Sequence, residues 1–225
     1  NYYKPATISR RIDRRISIMH SGSFAEYSKQ VLQDPTELDA LYKDLLIGVT
    51  RFFRDSEAFE ILRRKVIGPL LDATPPTEEI RVWVAACATG EEAYSLAMLF
   101  LEAFDERGRE ANIKIFATDV HRDSLQIASE GSYPEASMGD LAKERLVKFF
   151  VPDGNRFRVA NRLRRLLIFS PHNLIKDPPL TRMDLVSCRN LLIYFQAAAQ
   201  NKVIGAFHFA LKKQGSLFLG PSESI

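Results

Sequence analysis

Acidic residues at the ends of apolar runs are the first chemistry this sequence offers. The run IRVWVAA passes directly into Cys87-Ala88-Thr89-Gly90-Glu91-Glu92. Continuous apolar, β-branched segments of this kind form strands buried on both faces. An open α/β sheet binds its ligand beyond the carboxyl ends of its strands, so the turn after this run is a candidate site. Gly90 is the turn's one glycine. A dinucleotide fingerprint needs several, so that the backbone can crowd a pyrophosphate, and no Gly-Lys-Ser/Thr run occurs in the chain. The turn therefore suits a nucleoside without phosphate. S-adenosylmethionine is the commonest such cofactor; its ammonium asks for an acid, which Glu91 or Glu92 could supply. Both acids could equally serve the dipole of a following helix. Asp119 closes the next run, IKIFATD. A carboxylate there commonly accepts the two ribose hydroxyls of a nucleoside. It could also cap the next helix, a role open to Asp123 and Ser124 as well.

The elements that must position these residues follow from the apolar pattern. Ile8, Ile12, Ile16 and Met19 form one helical stripe, FAEYSKQVLQ forms a second helix, and Asp34-Pro35 opens a third as N-cap and first helical residue. Residues 1–47 thus form a small all-helical domain. Residues 48–225 form the second domain, beginning with an amphipathic helix, VTRFFRDSEAFEILRRKVIGPLL, that Gly68-Pro69 ends. Strand and helix then alternate: IRVWVAA, the helix after Gly90, IKIFATD, HRDSLQIASEG, LLIFSPHNL, DLVSC, the long helix RNLLIYFQAAAQNKVIGAFHFALKK, and SLFLG. The pattern predicts an α/β fold with a doubly wound, mostly parallel sheet. Residues 146–170 interrupt it. Asp153-Gly154-Asn155 between alternating segments is a hairpin signal, with LRRLLIF as a third partner. A small antiparallel insert is expected there.

Composition narrows the class without choosing a function. The 225 residues are 46% hydrophobic and 26% charged, with a net charge of +3, too small to mark a nucleic-acid binder. No apolar run reaches the roughly 18 residues of a membrane span, and the first residues lack a secretory h-region. Cys87 and Cys188 are isolated, which gives no metal motif and no disulfide framework and suits the cytoplasm. The positive charge is clustered. Lys4, Arg10, Arg11, Arg14 and Arg15 face Asp13 alone, and residues 156–165 hold five arginines and no acid. Asp177-Pro178-Pro179 lacks the aromatic residue of a nucleobase-methylating motif and is expected to be a loop.

Six segments, LLIGVTRFFRD, VWVAACATGEEAYSLAM, FATDVHRDSLQIASEGSY, FSPHNL, DLVSCRNLLIYF and GSLFLGPSES, occur in that order. Together they resemble the CheR-type chemotaxis-receptor methyltransferases, over essentially the whole chain. The resemblance implies a Rossmann-like S-adenosylmethionine-dependent methyltransferase that yields S-adenosylhomocysteine and methylated receptor glutamates. By motif, Thr50 and Arg54 would line the methionine end, Glu92 would hold the amino group and Asp119 the ribose. Asn173 and Leu174 would flank the adenine, and Cys188, Arg189 and Asn190 would form the loop after the next strand. Tyr194 would stand near the transferred methyl with Arg54. The resemblance further implies a monomer that docks a receptor helical bundle through Arg10, Arg11, Arg14 and Arg15 and uses neither nucleic acid nor metal; in some relatives the insert tethers a receptor C-terminal peptide, and the sequence leaves open whether this one does. Some departures are visible. Gly48 replaces a common asparagine, Ala93 a common proline, and Pro221 a polar residue. The chain also stops before the family's last strand pair, as expected of a fragment, and its wording resembles members fused to CheB-type methylesterase domains. A non-catalytic sensor of the same cofactor is the alternative.

Overall fold

The computed structural model describes residues 2–45 and 50–223. The expectation attached to Gly48 lies outside the described residues. Three helices open the chain: α1 (Pro5–Ile18), α2 (Phe24–Gln33) and α3 (Pro35–Leu45). The Ser23 side chain caps α2 by accepting the Glu26 N–H at 3.2 Å, and Asp34 Oδ1 accepts the Thr36 N–H at 2.8 Å at the start of α3. Leucines on this small unit remain outside, Leu32 and Leu38 among them, so its apolar core is thin. A polar centre supplements it. The Arg15 guanidinium forks onto both oxygens of Glu37, with Nε–Oε1 at 2.9 Å, and the Tyr27 hydroxyl donates to Oε1 at 2.6 Å. Glu37 is only 4% exposed. Arg15, expected at a docking surface, is therefore turned inward, because this buried carboxylate requires a cation. Arg10 and Arg14 remain exposed and Arg11 half-buried.

The segment after the helical unit differs from the single long helix expected. Thr50–Asp55 is irregular, with Phe53 and Asp55 in the left-handed region and Phe52 and Phe53 buried as anchors. Helix α4 (Ser56–Leu62) then passes through a π turn at Arg63–Ile67 into α5 (Gly68–Ala73). Gly68-Pro69 does not end the helix. The Gly68 N–H reaches back to Arg63 O, so the chain widens by one residue just before Pro69. In an unbroken α-helix the proline ring would strike the carbonyl four residues back.

The α/β unit runs β1 (Ile80–Ala85), α6 (Glu91–Glu106), β2 (Ile113–Asp119), α7 (Arg122–Glu130), β3 (Ser132–Pro134), α8 (Lys143–Phe149), β4 (Phe150–Asp153), β5 (Arg156–Val159), α9 (Asn161–Arg164), β6 (Leu167–Pro171), β7 (Met183–Cys188), α10 (Ala197–Ala210) and β8 (Leu211–Leu219). Five strands form one parallel sheet in the order β6-β2-β1-β7-β8. Alternation along β1 divides the core: Val82 and Val84 join the apolar layer of α6, whereas Trp83 and Ala85 join the layer of α10. Both layers bury large aromatics, which is the doubly wound arrangement the alternation predicts. Among the described residues no helix is long and apolar enough to cross a membrane.

Two boundaries differ from expectation. The long helix after DLVSC is only α10, preceded by a 3₁₀ turn at Leu192–Tyr194, and Leu211-Lys212-Lys213 belongs to β8. Lys212 sits in the strand because the buried Asp184 needs its ammonium, 2.7 Å away. The small antiparallel sheet, ordered β3-β5-β4, draws its third strand from Ser132–Pro134 and not from LRRLLIF. Leu167–Pro171 pairs instead with β2, where parallel pairing buries Leu167. The insert's arginines are largely engaged within the chain: Arg156 on Ser132, Arg158 on Asp153, Arg162 on Asp105, and Arg164 on Ser129 O.

The Arg15 fork holds Glu37 below its ordinary pKa, and burial pushes the Tyr27 phenol up to about 12. The stability that Glu37 contributes is complete above the unfolded carboxylate value of about 4.3 and is lost as pH falls through the depressed folded one. Hydrogen-exchange protection of α1–α3 should fall in that acid window. Glu37→Gln should cost about 3 kcal/mol at neutral pH and abolish the acid step. Wild-type-like exchange in E37Q would contradict this account of the pair.

Candidate active site

A cavity of about 270 Å³ lies at the carboxyl ends of the central strands. Its floor is the turn between β1 and α6. Ala86, Ala88 and Gly90 are all left-handed there, at φ 58°, 47° and 96°. A non-glycine residue pays roughly 1–2 kcal/mol for that conformation through its Cβ, so neighbouring contacts must impose it on the two alanines. Three bonds hold the turn: Cys87 N–H to Thr118 O at 3.0 Å, Gly90 N–H to Cys87 O at 2.9 Å, and Ala88 N–H to Asp119 Oδ2 at 2.8 Å. A Cβ on Gly90 would stand 2.8 Å from the Ala128 Cβ. This glycine therefore lets α7 pack closely and does not make room for a phosphate.

Asp119 borders the cavity from the end of β2, and its other oxygen accepts the His121 N–H at 2.9 Å. It is not the cap of α7, and neither is Asp123 or Ser124. The His121 ring does that work, with Nδ1 accepting the Ser124 N–H at 3.1 Å. Each Asp119 oxygen keeps a second lone pair for a ligand hydroxyl.

The two adjacent glutamates have separate fates. Glu91 is buried and bound to the Thr89 hydroxyl at 2.6 Å. Glu92 borders the cavity; its Oε1 accepts the Ser187 hydroxyl at 2.6 Å and its Oε2 lies 3.7 Å from Arg189 Nη1. Burial raises the Glu92 pKa, while Arg189 and Ser187 pull it back. A carboxylate so placed can receive an ammonium group.

Arg189 is the strut beneath. Its fully buried guanidinium donates through Nη2 to Arg54 O at 2.9 Å and to Asp55 Oδ2 at 2.8 Å. It lies 4.9 Å from the Phe59 ring centroid and 4.8 Å from that of Phe218, within cation–π range. Nε and Nη1 have no hydrogen-bond partner among the described residues. Arg189 thus fixes the loop that carries Thr50 and Arg54 to the cavity rim, and it borders the cavity with Asn190 and Tyr194. Asn173 and Leu174 border it after β6, where Asn173 Oδ1 accepts the Ile175 and Lys176 N–H groups and Asp177 closes the loop on the Asn173 N–H.

Cys188 does not join them. Side chains alternate along β7, so Ser187 faces Glu92 and Cys188 enters the opposite layer with Trp83, where burial pushes its thiol well up. The sequence patterns missed several contributors. Tyr2, Tyr3 and Tyr42 of the helical unit and His121 and His172 of the α/β unit all border the cavity. Glu223 of the GPSES end was also missed: its carboxylate accepts the Leu191, Leu192 and Gly220 N–H groups and so anchors the loop before Tyr194. Pro221 beside it is exposed, which makes that departure mild.

The features together define a Rossmann-like methyltransferase site, in which a strained turn, two separated carboxylates and no phosphate cradle fit S-adenosylmethionine. Residues 48–225 match the CheR methyltransferase SAM binding domain, and residues 1–46 match the CheR methyltransferase all-alpha domain. The chain belongs to the CheR methyltransferase family, and S-adenosylmethionine is its cofactor. An uncharacterized 104.1 kDa protein encoded in the hypE 3' region of Rhodobacter capsulatus is 44% identical over 99% of this chain, which spans 23% of that protein's length. A chemotaxis protein methyltransferase of Listeria monocytogenes is 33% identical over 99% of this chain and 83% of its own length. Chemotaxis protein methyltransferase 1 of Pseudomonas aeruginosa is 32% identical over 99% of this chain and 83% of its own.

Arg189→Ala removes two hydrogen bonds and two aromatic contacts at once. The expected loss is about 3 kcal/mol, kept at the low end of the range because Asp55 is partly solvated. Urea denaturation reads it directly, and a midpoint equal to wild type would contradict the strut.

Proposed function

We propose that the protein transfers a methyl group from S-adenosylmethionine to glutamate side chains of a chemotaxis receptor in the cytoplasm. The observation that carries this reading is that Arg54 and Tyr194 border the same cavity as Glu92 and Asp119. The names of the Listeria and Pseudomonas relatives support the chemotactic context.

The cofactor supplies a sulfonium methyl, an electrophile that needs no activation by a metal or a base. A substrate glutamate is already ionised at neutral pH, its ordinary pKa being about 4.3. The chain's residues therefore need only hold and align the reactants. Glu92 takes the ammonium end and Asp119 the ribose, which fixes the donor at two points. Arg54 presents two parallel N–H donors, a geometry suited to orienting a carboxylate. Tyr194, half-buried opposite, offers one hydroxyl and a ring face that excludes water. The raised pKa of Glu92 leaves it a ready partner for a cation, since the ligand's charge offsets the cost of burying its own. Arg10, Arg11 and Arg14 give α1 a basic face for an acidic receptor bundle. Arg54 and Tyr194 at the rim distinguish this reading from a non-catalytic sensor.

Asp119→Ala should weaken S-adenosylhomocysteine binding by about 10- to 100-fold in calorimetry, the loss expected for hydrogen bonds to a charged acceptor. An unchanged affinity would refute the ribose assignment. Arg54→Ala should abolish incorporation of a base-labile radiolabelled methyl into a receptor fragment while largely sparing cofactor binding. Turnover retained in R54A would refute its role at the acceptor.

A further inference from the structure

The segment preceding α1 crosses to the α/β unit and meets the loop that carries Tyr194. Tyr3 and Phe195 pair as an antiparallel bridge. The Lys4 N–H donates to Tyr194 O at 2.9 Å, the Gln196 N–H donates to Tyr2 O at 2.9 Å, and the Gln196 side-chain amide donates to Tyr3 O at 3.1 Å. The Tyr3 ring stands edge-on to Phe195, with centroids 5.1 Å apart, and Phe195 is buried in the layer of Trp83. Tyr2 and Tyr3 both border the cavity. The Tyr3 phenol titrates above its ordinary value, first through burial and then through the Asp119 charge.

Tyr194 needs such support. It sits in a three-residue 3₁₀ turn whose own bonds are the Tyr194 N–H to Leu191 O and the Phe195 N–H to Leu192 O, both at 3.0 Å. So short a turn has little stability of its own. Glu223 anchors its start through the Leu191 and Leu192 N–H groups. Its end is held by residues 2–4.

We propose that Tyr3 is a positioning residue for methyl transfer: the Tyr2–Lys4 strap fixes the backbone of Tyr194 and walls the cavity with Tyr2 and Tyr3, so the helical unit completes the active site. This rests on the reading that Tyr194 stands beside the transferred methyl. Helix α1 begins at Pro5, directly after the strap. A protein substrate seated on α1 therefore bears on the Tyr194 loop through one continuous piece of backbone.

Lys4→Pro isolates the strap. Lys4 has φ −62° and ψ 131°, a conformation proline adopts freely, and its N–H serves Tyr194 O. In the full chain, K4P should lower turnover on a receptor fragment by about fivefold, the worth of one hydrogen bond. Its melting temperature and its affinity for S-adenosylhomocysteine should stay at wild-type values. Tyr3→Ala should lower turnover roughly tenfold and weaken S-adenosylhomocysteine binding as well, because it removes a ring contact and a cavity wall. Tyr3→Phe should restore turnover. Wild-type turnover in K4P and Y3A would overturn the proposal, as would a Y3F enzyme as impaired as Y3A. Calorimetry with S-adenosylhomocysteine does not depend on the acceptor. Weakened binding in Y3A, beside a wild-type protein that labels no glutamate, would retain the strap's part in the cofactor site and reject the glutamate reading.

Discussion

Asp119 ends β2 with one carboxylate oxygen on the Ala88 N–H and the other on the His121 N–H, at 2.8 and 2.9 Å. One side chain thus joins the turn after β1 to the turn after β2. The first of these carries two left-handed alanines, a conformation that persists only where neighbouring contacts impose it. The second brings His121 and Ser124 to the cavity wall. Each oxygen is held by one amide, and the residue also borders the cavity. The group proposed to bind the ribose is the same group that shapes the floor beneath it. Loss of ligand affinity and loss of local order are therefore coupled at this residue.

A second carboxylate–arginine system sets the opposite end. Glu92, Arg189 and Asp55 form a chain of charge from the cavity to the Thr50–Asp55 loop, with Phe59 and Phe218 packed on the guanidinium. Burying this many charges is costly unless each is paired, and here the pairing also serves position. Arg189 reaches Arg54 through the backbone carbonyl, and Arg54 borders the cavity. The cavity is thus lined from the loop ahead of α4, the ends of the parallel strands, and the strap and α3 of the helical unit.

Much of this was legible in the sequence where a periodic pattern met one dominant constraint. IRVWVAA and IKIFATD read as buried strands because they are short, rich in β-branched residues and bounded by turn residues. Asp119 then fell at a strand end by counting, whereas only the family resemblance separated Glu92 from Glu91 in the turn after β1. The failures have physical reasons. Pro69 looked like a helix terminator, but a π turn, invisible in residue type, accommodates it. Cys188 shares a motif with Arg189 yet points into the other layer, as strand alternation demands. LRRLLIF overlaps the core strand LLIFSPHNL, whose pairing with β2 takes it from the insert, and Ser132–Pro134, three residues ending in proline, gave no strand signal. Arg15 matched Arg14 in every local respect. Its inward turn depends on Glu37, which lies 22 residues away and enters its environment only through folding. Tyr3 carried no signal at all, because its partners lie nearly the full length of the chain away.

The central claim is that Glu92 and Asp119 hold the two ends of one cofactor in a cavity built without a phosphate cradle. A crystal structure of the protein soaked with S-adenosylhomocysteine tests it most directly. The account predicts the ligand's ribose hydroxyls on Asp119, its amino group on Glu92, and its sulfur facing Arg54 and Tyr194. A ligand bound elsewhere, or bound here with its ribose away from Asp119, would contradict it.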